Sequence, residues 1–176
     1  MLKIAITGPE STGKTSLAKA LAHHYQTIHV PEYARDYIEQ LNRPYTQEDI
    51  LKIAQGQQDA EKALLQKAGE ILICDTELLV TKIWSAHAFQ SVPEWIEDNL
   101  HRQTYDLYLL MDIDLPWEPD PQREHPDKRA FFFDWYEREL RKMQVNYVII
   151  SGQLDQRTQS AIQKIDLLKQ KRDQKA

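Results

Sequence analysis

Residues 8–15 read Gly8-Pro9-Glu10-Ser11-Thr12-Gly13-Lys14-Thr15. They satisfy the phosphate-binding loop pattern G-x-x-x-x-G-K-[ST] at every fixed position. The flanks agree with it. Leu2-Lys3-Ile4-Ala5-Ile6-Thr7 is a short apolar run, and Ser16-Leu17-Ala18-Lys19-Ala20-Leu21-Ala22-His23-His24 spaces its apolar residues as a helix does. Strand, glycine loop and helix in that order let several N–H groups converge on one cavity, with the positive end of the helix dipole behind them. In that geometry Gly8, Glu10, Ser11, Thr12, Gly13, Lys14, Thr15 and Ser16 are the expected contacts to a triphosphate. Lys14 would reach the β- and γ-phosphates and the Thr15 hydroxyl would ligate Mg²⁺, so ATP and Mg²⁺ are the expected cofactors.

Working outward, 176 residues suffice for a single domain with a sizeable core, expected over 1–176. The net charge of −5 argues against a nucleic-acid partner, which would need a basic stripe. No apolar run approaches a membrane span, and no signal peptide is expected before the first strand. Cys74 is the single cysteine. It cannot form an internal disulfide, which is expected of a cytoplasmic protein, and it reads as a small buried residue within a strand.

Short apolar runs at 2–7, 27–30, 71–74, 107–111 and 147–151 read as strands covered on both faces. Helical periodicity is expected over 14–25, 47–68, 78–89, 93–103, 130–143 and 154–170. The alternation predicts right-handed crossovers and a doubly wound α/β architecture. The exception is 112–128, which holds four prolines and reads as a loop or mobile lid, extending to about 129.

In such a sheet, ligands sit beyond the carboxyl ends of the strands, where polar residues recur in this chain. Asp75 ends the run Glu70-Ile71-Leu72-Ile73-Cys74-Asp75. An acid in that place holds Mg²⁺ directly or through water, so Thr15 and Asp75 are the expected metal residues. Glu32 follows the second strand, where a carboxylate can orient an acceptor hydroxyl and take its proton. Arg35 shares its face if the segment is helical, and would clamp a phosphate or the acceptor. An ordinary surface Glu–Arg pair is the competing reading. Arg123 and Arg129 sit in or beside the proline-rich stretch and are expected to close over the phosphates, unless they pair with Glu124, Asp127 or Asp120. Trp117 reads equally as a stacking surface for a base or as core or hinge packing. Gln57 and Gln58, on an otherwise apolar face, need partners that either a substrate or a neighbouring loop would supply.

These motifs resemble a known family. Residues 8–15, Val30-Pro31-Glu32-Tyr33-Ala34-Arg35, Gly56-Gln57-Gln58, Asp75-Thr76-Glu77 with Thr81 and Trp84, Tyr105-Asp106-Leu107-Tyr108-Leu109-Leu110, Pro116-Trp117 and Arg123 are similar to the ribosylnicotinamide kinase domain of NadR-type proteins of NAD biosynthesis. The likeness runs from residue 2 to about 152. It implies a P-loop nucleoside/nucleotide-kinase-like fold, with a five-stranded parallel sheet of order 2-3-1-4-5, helices on both faces and a lid. It implies transfer of the ATP γ-phosphate to the 5′-hydroxyl of nicotinamide riboside, a ribosyl pyridine. After Asp120 stands Pro121, where many relatives have glycine. The adenylyltransferase and DNA-binding parts of NadR proteins have no counterpart here, so neither adenylyl transfer nor repression is expected. Two other readings stay open: a kinase for another nucleoside or nucleotide, and a regulatory ATPase with no acceptor.

Overall fold

The strand ahead of the glycine loop becomes the centre of the molecule. In the computed structural model, which describes residues 1–174, β1 (Leu2–Thr7) is followed by α1 (Lys14–His24), β2 (His29–Val30), α2 (Tyr33–Glu39), α3 (Gln47–Leu65) and β3 (Ile71–Asp75). Then come α4 (Leu78–Phe89), α5 (Glu94–Arg102), β4 (Leu107–Met111), a 3₁₀ turn at Pro126–Lys128, α6 (Arg129–Lys142), β5 (Tyr147–Ile150) and α7 (Leu154–Asp173). All strand pairs are parallel, in the order β2-β3-β1-β4-β5 expected of the fold. Ile6 lies level with Asp75, so the glycine loop and Asp75 leave the sheet at the same end.

Both faces of the sheet are covered, which is why its strands read as nearly continuous apolar runs. Ile4, Ile6, Ile73, Leu109 and Met111 pack with Leu17, Leu21, Ala161 and Ile165 of α1 and α7. Ala5, Leu72, Cys74, Tyr108 and Leu110 pack on the other face with Ile50, Ala54, Leu78, Ile83 and Leu140 of α3, α4 and α6. Cys74 is fully buried there, as its strand position predicts. Among the described residues no helix is long and apolar enough to cross a membrane.

Element boundaries differ from expectation where local bonds intervene. β2 is two residues rather than four. The Thr27 N–H is held by Ala22 O of α1 at 2.9 Å, and the Thr27 hydroxyl donates to Ile71 O at 2.7 Å in place of a ladder bond. α3 begins as its capping box dictates, with Thr46 and Asp49 bonded reciprocally, but ends at Leu65, short of 68. The N–H groups of Lys67 and Ala68 both turn back to Leu64 O there, ahead of Gly69. α7 continues three residues beyond 170. Residues 33–39 form a separate short helix, α2, visible in the sequence only as the Glu32–Arg35 spacing.

Candidate active site

The glycine loop turns through a run of left-handed residues: Ser11 at φ 55° and Gly13 at φ 80°, after Gly8 at φ 126°. Gly13 is the N-cap of α1 and supplies no side-chain cap, so the N–H groups of the first turn are left for an anion. That first turn contains no acidic residue to compete for them. The Lys14 ammonium donates to Gly8 O at 3.0 Å and Pro9 O at 2.8 Å. Burial pushes its pKa down, while Glu32, Asp75 and Glu10 push it back up.

Asp75 is 1% exposed, and neither carboxylate oxygen has a hydrogen-bond partner of normal geometry. Burial pushes its carboxyl up; nearby Thr15 and Lys14 pull it down. A buried carboxylate with both oxygens unpartnered, beside an exposed hydroxyl at Thr15, fits a hard divalent cation. Among the described residues no cluster of three or more acids, histidines or cysteines could hold an ion alone. Mg²⁺ at Thr15 and Asp75 would therefore depend on phosphate and water for its remaining ligands, as is usual for it. Thr76, next in line, is β-branched and held at φ 70°, a strained conformation pinned by its N–H to Ile6 O at 3.1 Å.

Glu32 is the N-cap residue of α2 and makes no capping hydrogen bond, so its carboxylate is free to face the cavity. Burial pushes its pKa up; Lys14 opposes this and Asp75 reinforces it. Arg35, one helical turn on, is drawn to Asp120 at 3.1 Å rather than to Glu32.

Residues 112–125 cross over the glycine loop without regular structure. Their contacts are numerous and local. Glu10 Oε2 accepts the N–H groups of Glu124 and His125 at 3.1 and 3.2 Å. Ser11 Oγ accepts the Glu118 N–H at 2.8 Å and the Arg123 guanidinium at 3.3 Å; Arg123 also donates to Glu118 O. Arg129 donates to Leu115 O at 2.8 Å and Ser11 O at 3.3 Å, and its guanidinium lies 5.9 Å from the Trp117 ring centre. Glu10 and Arg129 thus join the loop to the crossing segment.

Two cavities result. One, of about 390 Å³, runs along the glycine loop and is lined by Ser11 through Ser16 with Arg35, Arg123 and Gln153. The other, of about 210 Å³, lies between α3, α4 and α6, with Tyr45, Trp84, Phe132 and Tyr136 on its walls. They meet at Glu10, Lys14, Glu32 and Gln122, which line both. Four acids, Glu10, Glu32, Glu77 and Glu124, line the second cavity, with Lys14, His87 and His125.

Two residues of this region carried no assignment from the sequence. Glu77 caps α4, accepting the Leu79 N–H at 2.5 Å and the Thr7 hydroxyl at 2.9 Å, and burial pushes its pKa up to about 7. Arg157 is fully buried and donates to Gly152 O, Thr12 O and Asp112 O at 2.7, 2.8 and 3.0 Å, and to the Asp114 carboxylate. It ties the glycine loop to the ends of β4 and β5. The only hint of this is a cation in the first turn of α7, where the helix dipole disfavours one. Gln57 finds its partners within the chain, as described below.

Known proteins share this fold. The model of the AAA domain family matches residues 3–157. The trifunctional NAD biosynthesis/regulator protein NadR of Salmonella typhimurium is 26% identical over 137 residues, which are 73% of this chain and 33% of the relative. The chain therefore spans about a third of that relative's length. A crystal structure of a NadR protein in complex with NR shares the fold with a TM-score of 0.71 at 21% identity, over 86% of this chain and 44% of that one. A deoxyadenosine kinase from M. mycoides, with products dCMP and dCDP bound, does so with a TM-score of 0.67 at 12% identity, over 94% and 99%. With a family match running from β1 into the first turn of α7, the chain belongs to the AAA domain family and is similar there to the NadR-type P-loop kinase domain.

Proposed function

We propose that the chain is a single-domain, ATP-dependent kinase that phosphorylates the 5′-hydroxyl of nicotinamide riboside to give nicotinamide mononucleotide. The observation that carries this reading is the meeting of two unlike cavities at Lys14 and Glu32. A regulatory ATPase needs one nucleotide site. Here the cavity along the glycine loop opens onto an aromatic one, with a carboxylate of raised pKa at the junction. The surplus of carboxylates around the aromatic cavity favours a cationic ring such as a pyridinium over an acceptor that already carries phosphate. The NadR relatives support the same choice.

In this reading the glycine loop and the N-terminus of α1 cradle the triphosphate, and Lys14 moves from the loop carbonyls to the β- and γ-phosphates. Glu32 takes the proton of the acceptor hydroxyl as its oxygen attacks phosphorus and the bond to the bridging oxygen breaks. Thr15 and Asp75 would hold Mg²⁺, which when bound offsets phosphate charge. Arg123 and the segment from 112 to about 129 close the site and exclude water.

The test is a coupled ADP-release assay with ATP, Mg²⁺ and a nucleoside panel. Nicotinamide riboside is expected to give the fastest release. A faster rate with another nucleoside would reassign the acceptor, and ATP hydrolysis indifferent to every nucleoside would favour the regulatory ATPase. For the lid, Arg123→Ala is expected to slow acceptor phosphorylation by about 10²-fold or more while ATP still binds. Protease cleavage within 112–128 should slow when an ATP analogue and nicotinamide riboside are both present. Full activity in Arg123→Ala and Arg129→Ala alike, with protection unresponsive to ligands, would reduce the stretch to a surface loop.

A further inference from the structure

α2 carries Glu32 at its mouth, yet none of its seven residues is fully buried. Apolar packing alone therefore does not fix it. What it rests on is the middle of α3. Gln57 is 3% exposed, and both ends of its amide are spent on main chain. Its Oε1 accepts the Tyr33 N–H at 2.8 Å. Its Nε2 donates to Pro31 O at 3.2 Å and reaches Asp75 O at 3.5 Å. Pro31 and Tyr33 flank Glu32, so one side chain grips the backbone on both sides of it and ties that elbow to the end of β3.

Gly56 supplies the other half of the seat. The Tyr33 ring lies so close over it that a Cβ there would sit 2.3 Å from a ring carbon. Tyr33 is itself 39% exposed, so its ring is located by Gly56 and by the Tyr37 ring, 6.2 Å away between centres, rather than by enclosure in the core.

We propose that Gly56 and Gln57 are positioning residues: together they seat the Pro31–Tyr33 elbow on α3 and so aim the Glu32 carboxylate at the junction of the two cavities. The proposal rests on the reading of Glu32 as the group that takes the acceptor proton. It also separates two roles for Gln57, which lines the acceptor cavity. An amide that reads the acceptor affects its binding. An amide that holds the elbow affects the rate, because a misplacement of about 1 Å costs on the order of 10²-fold.

The experiment is a double-mutant cycle of Gln57→Met with Glu32→Gln, assayed with ATP and nicotinamide riboside, with melting followed in parallel. Gln57→Met is expected to lower kcat about 10- to 100-fold, with KM for ATP and nicotinamide riboside within about twofold of the unaltered chain. In the Glu32→Gln background the same change should cost less than about twofold, because the group it aims is gone. Gly56→Ala should repeat the pattern, and it carries the test if Gln57→Met does not fold. A raised KM for nicotinamide riboside with unchanged kcat would make Gln57 an acceptor contact and overturn the proposal. So would a full additional loss in the Glu32→Gln background, which marks general structural damage, or unchanged kcat in both seat variants. The Glu32→Gln single variant reads the underlying assignment separately. If it retains full rate, or if the unaltered chain releases no ADP with nicotinamide riboside, that reading falls and the seat falls with it.

Discussion

Glu32→Gln is expected to leave ATP binding near normal and to slow acceptor phosphorylation by about 10²- to 10⁴-fold, the range for loss of an acid–base group. The substitution keeps the size of the side chain and removes its charge and basicity. The large effect is expected because the site treats this carboxylate unlike a surface acid. It lines both cavities and caps nothing, and burial raises its pKa toward the range where a general base works well. Lys14 keeps the shift in check. The rate should fall on the acid side as the raised Glu32 carboxyl takes up a proton, and the variant, which lacks that group, should lose this limb. Steady-state kinetics across pH, with nucleotide affinity measured separately, checks both points. Loss of ATP affinity with an unchanged maximal rate would contradict the role given to Glu32.

What could be read from the sequence is what local pattern encodes. The glycine loop is contiguous, its strand and helix adjoin it, and Asp75 closes an uninterrupted apolar run. Each follows from neighbours within a few residues. The burial of both sheet faces was legible for the same reason, because strands covered on two sides lose their alternation. What escaped depends on distant segments meeting. β2 shrinks to two residues because Thr27 finds partners in α1 and β3. Arg157 is a polar residue in a polar helix until carbonyls from the glycine loop and two strand ends converge on it. Gln57 could be singled out as an amide in need of partners, but not as one gripping an elbow 24 residues away in sequence. Even Glu10, inside the best motif, spends its carboxylate on N–H groups of Glu124 and His125, which no pattern near it announces.

Lys14→Ala is expected to lower ATP turnover by about 10²- to 10³-fold or more, as loss of a cation placed on transferring phosphate should. The fold should survive. In the structure the ammonium donates to Gly8 O and Pro9 O, and without it Pro9 O still accepts the Thr12 hydroxyl at 2.8 Å. Gly8 and Pro9 both line the aromatic cavity, and a net hydrogen bond contributes about 1 kcal/mol. For a chain of this size that corresponds to a melting shift of only a few degrees. Burial disfavours the Lys14 charge, which reduces the loss further. The two effects are thus far apart in scale, and turnover and melting measured on one preparation separate them. A large melting shift with a proportionate loss of active protein would make Lys14 a structural clasp of the loop. Unchanged turnover would show that this loop, for all the agreement of its pattern and geometry, is not where the nucleotide reacts.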